Sequence, residues 1–248
     1  ITFIAFDINY EDEVDFSISK DILNQIVRIH TLNASETVIL QPYGKNSYPF
    51  IDIKKDEIDE KINKFFTDLP VEDENQYSNH YLVISEAFTK IAELVDTTNS
   101  NFYMISNLRL SDLEESSEVK LKNLSDLYAS SQITLNVMSL PSSRSPERSL
   151  FEGFSETTNG NFIDFDSSST TSMIEFMKIF MDNPISILQT NLSSKPLSNF
   201  INIPPTVKKV SLGIYKENPQ INISIINPDG IQIKPKLDYD FWDLERIL

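Results

Sequence analysis

TFIAFDINYE, residues 2–11, decides the architecture. It opens with a run of apolar and β-branched residues that does not alternate with polar ones, and it ends abruptly at Asp7, Asn9 and Glu11. Such a run suits a strand covered on both faces, the usual situation in a parallel sheet, with a polar loop where the strand leaves it. The same design recurs in NFYMISN, residues 101–107, and in QITLNVMSL, residues 132–140. Shorter strands are expected over residues 36–42 and 48–53, joined around Gly44, and over residues 161–165 after an Asn159-Gly160 turn.

The segments between these strands are helical in period. Ile18, Ile22, Ile26 and Ile29, widened by Leu23, Val27 and His30, form one apolar stripe over residues 17–32. Ile58, Ile62, Phe65 and Phe66 do the same over residues 56–66. Further helices are expected over residues 81–95, 119–130, 147–157 and 171–181, the last with Met173, Ile174, Met177, Phe180 and Met181 on one face. Strand and helix in alternation imply right-handed crossovers and an α/β fold: a doubly wound, mostly parallel sheet with helices on both faces.

The pattern changes after Pro184. Residues 186–205 mix Ser, Asn and Pro like a linker, so residues 1–185 are expected to form the first domain. Residues 206–248 then read as strands without helices, at 207–215, 220–226 and 231–234, with a Pro228-Asp229-Gly230 turn. That is the signature of a small C-terminal β-sandwich portion, thin enough to be incomplete, with Trp242 as a candidate plug for its core.

Composition excludes several functions. The 37 acidic residues outweigh the 21 basic ones, giving a net charge of −16 over 248 residues and a surface that repels nucleic-acid phosphates and anionic lipid. No uncharged apolar run is long enough to span a bilayer. Cysteine is absent, which removes disulfides, thiolate metal sites and thiol nucleophiles together. Five glycines make no phosphate-binding loop, no Gly-x-Ser-x-Gly elbow occurs, and two histidines offer few bases. His30 lies beside an apolar stripe and reads as structural, whereas His80 falls at a loop-to-helix junction. The chain is therefore not expected to be an enzyme.

This order of elements resembles a von Willebrand factor type A domain over roughly residues 1–182. FIAFDINYE is similar to the family's first strand and Asp-x-Ser-x-Ser loop, and FYMISN to the strand that ends in Thr-Asp-Gly. FEGFSETTNGNFIDFDS resembles its helix, Thr-Gly-Gly turn, aromatic strand and acidic exit. The resemblance implies a metal-ion-dependent adhesion site at the C-terminal edge of the sheet, where short loops offer oxygen ligands to a hard cation. Carried over residue by residue, that site would comprise Asp7, Asn9, Glu11, Asn79 (or Ser78) and Asn107, with His80 beside it. Only Asp7 keeps the family residue. The serines are replaced by Asn9 and Glu11, the second aspartate by Asn107, and Ser106-Asn107-Leu108 stands for Thr-Asp-Gly.

A degenerate site of this kind implies no required cofactor, with any cation effect weak and larger for Ca²⁺ than for Mg²⁺. The expected function is recognition of a protein or cell-surface ligand through the edge loops, without strong metal dependence. Their acidity favours a partner that is basic or cation-bridged, and the sandwich tail favours an extracellular or cell-surface setting. The alternatives are an intracellular scaffold subunit of a multiprotein complex and a metal-dependent adhesion module.

Overall fold

A computed structural model describes residues 1–10, 12–31, 37–70, 77–94, 100–108, 115–143, 147–165, 172, 176, 179, 209–213, 224–226, 230–233 and 241–245. The chain divides into two compact units, Ile1–Ser172 and Met173–Leu248.

The first unit holds a six-stranded sheet. Its strands are β1 (Thr2–Asp7), β2 (Val38–Tyr43), β3 (Ile51–Ile53), β4 (Ser100–Ser106), β5 (Ile133–Ser139) and β6 (Phe162–Asp164). They lie in the order β3-β2-β1-β4-β5-β6, parallel throughout except for the antiparallel edge strand β3. Strand order reverses at β1, which pairs with β2 on one side and β4 on the other. The loops leaving β1 and β4 thus start where the strand order reverses, the place where open α/β sheets carry their sites.

The unbroken apolar runs are buried on both faces as expected: all six residues of β1 are buried, Asp7 included. Helices α1 (Glu13–Thr31), α2 (Ile58–Thr67), α3 (His80–Ala92), α4 (Glu115–Ser130) and α5 (Glu147–Thr157) cover the sheet. On one face Phe3 and Ala5 join a core cluster with Val83, Ala87 and Ile91 of α3, Leu121 and Tyr128 of α4, and Phe151 and Phe154 of α5. On the other, Phe6 meets Phe65 and Phe66 of α2 edge-on at 5.3 and 5.9 Å, and His30 of α1 faces the Tyr103 hydroxyl of β4 at 3.0 Å. His30 is accordingly a structural histidine.

Two local features differ from the reading of the sequence. Helix α1 begins at Glu13, four residues before Ser17, because the Asp12 carboxylate accepts from the backbone N–H groups of Val14 and Asp15 at 2.9 Å each. Helix α4 begins at Glu115, four residues before Val119. The Asn159-Gly160 turn is as expected, and its geometry explains the glycine. Asn159 takes a left-handed φ of 55°, and a Cβ on Gly160 would lie 1.7 Å from the Leu135 carbonyl oxygen. The Thr158 hydroxyl accepts from the Leu135 N–H at 3.1 Å, locking the turn onto β5.

In the second unit the described strands are β7 (Lys209–Gly213), β8 (Ile225–Ile226), β9 (Gln232–Ile233) and β10 (Phe241–Glu245). They form two antiparallel ladders, β7 with β10 and β8 with β9. The strand carrying Trp242 was not foreseen. Most of the helix expected over residues 171–181, and the linker at 186–205, lie outside the described residues.

Candidate functional site at the C-terminal edge of the sheet

Asp7 ends β1 with its carboxylate 1 % exposed, and three neighbouring segments converge on it. One oxygen accepts from the Ser78 hydroxyl at 2.5 Å and from the backbone N–H of Asn9 at 3.0 Å. The other accepts from the Ser106 hydroxyl at 2.5 Å. Hydroxyl donors this close to an ionised carboxylate make strong, charge-assisted bonds.

The proton positions follow from this arrangement. A serine hydroxyl has one proton, and in both serines it is directed at Asp7. Ser78 Oγ can then only accept, so the Asn9 group 3.1 Å away is its amide nitrogen. Ser106 Oγ accepts from the Leu108 N–H at 2.8 Å, and His80 Nε2, at 3.4 Å, must carry the hydrogen if it bonds there. Asn107 turns its amide nitrogen to the Asn9 carbonyl at 2.6 Å, closing a ring of contacts between the loops after β1 and β4 and the segment before α3.

Leu108 occupies the third position of the Thr-Asp-Gly-like triplet and has φ 57°, a left-handed conformation that glycine adopts without strain and leucine does not. Its 1 % exposure and its N–H bond to Ser106 hold it there. His80 is equally enclosed, with Tyr43 and Phe151 edge-on at 5.6 and 5.2 Å. Burial lowers its pKa from 6.5 to about 3, so the ring is neutral. Burial, and secondarily the Asp7 charge, push the Tyr43 phenol well above its usual pKa. Ser106 offsets this only in part, its contact with the phenol falling short of ordinary hydrogen-bond geometry.

The residues singled out in the sequence thus have distinct places. Asp7, Asn9, His80 and Asn107 come together, while Glu11 lies outside the described residues. Ser78, rather than Asn79, faces Asp7. The Asn79 side chain instead caps α3, accepting from the Leu82 N–H at 3.0 Å. Ser106 was read only as part of a substituted triplet, yet it is the hub. A polar residue closing a buried strand was the signal that could have marked it. Asp15, fully buried, accepts from the Ser142 backbone N–H and hydroxyl and joins α1 to the loop after β5.

This set does not fit a hard-cation centre as it stands. Ser106 has its proton on Asp7 and accepts from the Leu108 N–H, and Ser78 has its proton and one acceptor direction engaged. Asp12 is occupied as a helix cap and Asp15 by Ser142, leaving Asp7 as the only carboxylate in the ring among the described residues. Among the described residues, no group of three His, Asp or Glu side chains could hold a metal ion.

A six-stranded, mostly parallel sheet in this order, wrapped by helices on both faces and with its polar node at the C-terminal edge, is a von Willebrand factor type A-like α/β fold. The particular likeness that carries this is to the VWA domain of SpRpn10, at 15 % identity and a TM-score of 0.52, covering 75 % of this chain and 98 % of that one. The chain is also similar to BatB from Bacteroides thetaiotaomicron (14 % identity, TM-score 0.49, 72 % of this chain and 96 % of that one). A von Willebrand factor type A protein from Catenulispora acidiphila matches at 11 % identity and a TM-score of 0.49, over 72 % of this chain and 41 % of that one. No family model matches the sequence, and no curated protein matches it.

Proposed function

We propose that the first unit is a recognition module that engages a protein partner through the loops at the C-terminal edge of its sheet, without a required cation. The observation that carries this reading is the closed ring of hydrogen bonds around Asp7. It ties three chain segments into one fixed surface before any partner arrives, and such preorganisation lowers the entropic cost of binding. The buried members of the ring hold the edge in shape, while Asn9, Tyr10 and Asn79, partly or fully exposed, are available to a partner. On this reading the site is a degenerate adhesion site in which internal hydrogen bonds replace the metal. The antiparallel ladders of the second unit would be parts of a β-sandwich, and the setting would be extracellular or at a cell surface.

An Asp, a Ser and a His in contact invite comparison with a hydrolytic triad, but the order is wrong. In a triad the histidine stands between the acid and the nucleophile and takes the serine proton. Here Ser106 stands in the middle, gives its proton to Asp7 and is fully buried, and His80 is held neutral away from solvent. That arrangement supports a structural node rather than a nucleophile.

A photo-reactive amino acid placed at exposed Asn79, and separately at exposed Gln132 just before β5 at the opposite end of the sheet, tests the reading in the source cell's extract. A partner captured from position 79 and not from 132 supports it. A partner captured from 132 alone would place recognition elsewhere and overturn it.

A further inference from the structure

We propose that the edge is read by a basic protein segment whose Arg or Lys side chains stack on Tyr10, Tyr77 and Tyr81. This rests on the edge-recognition reading above and adds the chemistry of the partner and the side chains that grip it.

Among the described residues of the first unit, every exposed tyrosine lies at this edge. Tyr10, Tyr77 and Tyr81 are 41 %, 48 % and 37 % exposed, whereas Tyr43, Tyr103 and Tyr128 are in the core. Their placement follows the hydrogen-bonded ring. Tyr10 follows Asn9, Tyr77 precedes Ser78, and Asn9 and Ser78 are bonded to each other at 3.1 Å. Tyr81 follows His80, which faces Ser106. Each tyrosine is thus one residue, ~3.8 Å of backbone, from a member of the ring, so the three share a rigid base. Tyr10 packs on Phe16, ring centroids 4.6 Å apart, yet that contact gives no reason for all three rings to stay more than a third exposed at one end of a sheet. Binding does, because tyrosine supplies wide contact at a low cost in side-chain entropy and recurs at interface hot spots.

Charge selects the occupant. The segment carrying Tyr10 also carries Glu11, Asp12 and Glu13, and Glu72, Asp73 and Glu74 come shortly before Tyr77, with no Lys or Arg in either stretch. Asp12 and Glu13 are exposed. Among the described residues the nearby cations are Lys45, in the turn after β2, and Lys120 on α4, and in the sequence Arg109 follows Leu108. Lys120 itself shows what the rings accept: its ammonium lies over the Tyr81 ring, 5.7 Å from the centroid. An exposed pair of this kind is weak, so a guanidinium from a partner could replace it. Nucleic acid and anionic lipid carry the wrong sign for this surface.

Backbone amide shifts of the whole 248-residue chain, recorded while a short synthetic peptide of alternating Gly and Arg is titrated in, test the proposal. Peptides of Gly with Lys, citrulline or Glu serve as probes of charge. Shifts should gather at residues 9–10 and 77–81, in the order Arg, Lys, then citrulline, with Glu inert. Replacing all three tyrosines by Phe keeps the ring faces and should leave affinity within about twofold, while replacement by Ala should weaken it about tenfold or more. Melting curves establish that each variant is folded. Edge shifts that survive the Ala replacements would overturn the aromatic proposal while leaving edge recognition standing. Arg-peptide shifts confined to other parts of the molecule would overturn both, and equal binding of the Glu peptide, or no binding at millimolar peptide, would overturn the proposal.

Discussion

Ser106→Ala removes one oxygen atom that is fully buried and holds three contacts, so its cost can be worked out from the structure. Asp7 loses a charge-assisted donor at 2.5 Å, an interaction worth roughly 1.5–3 kcal/mol. The buried N–H of Leu108 loses its acceptor, which costs roughly 1–3 kcal/mol more, at a residue already strained by a positive φ. The contact with His80 at 3.4 Å is too long to add much. Together these give a loss of about 2.5–6 kcal/mol, or a fall in melting temperature of roughly 5–24 °C for a unit of this size. Urea unfolding followed by circular dichroism measures it directly. Two comparisons sharpen the result. Combined with Asp7→Asn in a double-mutant cycle, Ser106→Ala should show a coupling of about 1 kcal/mol or more. Ser155→Ala deletes a hydroxyl that is equally buried but has no hydrogen-bond partner among the described residues, and should be neutral or stabilising. A loss below about 1 kcal/mol for Ser106→Ala, or the same loss for Ser155→Ala, would refute the node as the fastening of this edge.

Two more predictions follow from burial and steric fit. Gly160→Ala places a methyl 1.7 Å from a backbone oxygen of β5 that cannot rotate away, so it should cost about 3 kcal/mol or more in urea unfolding, and a cost near zero would show that the turn is not tightly held. His80 has a folded pKa lowered from 6.5 to about 3, so its contribution is fully present above pH 6.5. As pH falls below that, the unfolded chain takes up a proton that the folded one refuses, and stability is lost with a slope of at most ~1.4 kcal/mol per pH unit. His80→Phe should flatten stability against pH between 6.5 and 4.5 relative to wild type, and parallel curves would mean that His80 is protonated in the fold.

The sheet was legible in the sequence because its information is local. An unbroken apolar run such as TFIAFD is long enough to specify burial on both faces, and 3.6-residue periodicity marks the helices between such runs. Helix starts were misplaced where a single side chain decides them: Asp12 caps α1, so that the helix begins four residues before the expected start at Ser17. The site was half legible. Asp7 could be found because the strand it closes resembles the family's first strand and loop, but its partners lie far along the chain: Ser78 was only the alternative to Asn79, and Ser106 is unremarkable among many serines. Asn79, the neighbour of Ser78, was as good a candidate by residue type, and only the three-dimensional turn shows that its oxygen faces the helix instead. The strand at 241–245 was missed because DFWDLE does not alternate cleanly, so its pairing with β7 rests on contacts far along the chain.

The central claim is that Asp7 is satisfied by protein hydrogen bonds rather than by a cation. Melting temperatures of wild type and Asp7→Ala, each with a chelator and with millimolar Mg²⁺ or Ca²⁺, test it most directly, because a ligand that binds only the folded state raises the melting temperature by mass action. Little or no rise with Mg²⁺ in wild type is predicted, any change being larger with Ca²⁺, and Asp7→Ala should melt at a lower temperature under all conditions. A rise of several degrees with Mg²⁺ in wild type, abolished in Asp7→Ala, would contradict the account and establish a working adhesion site.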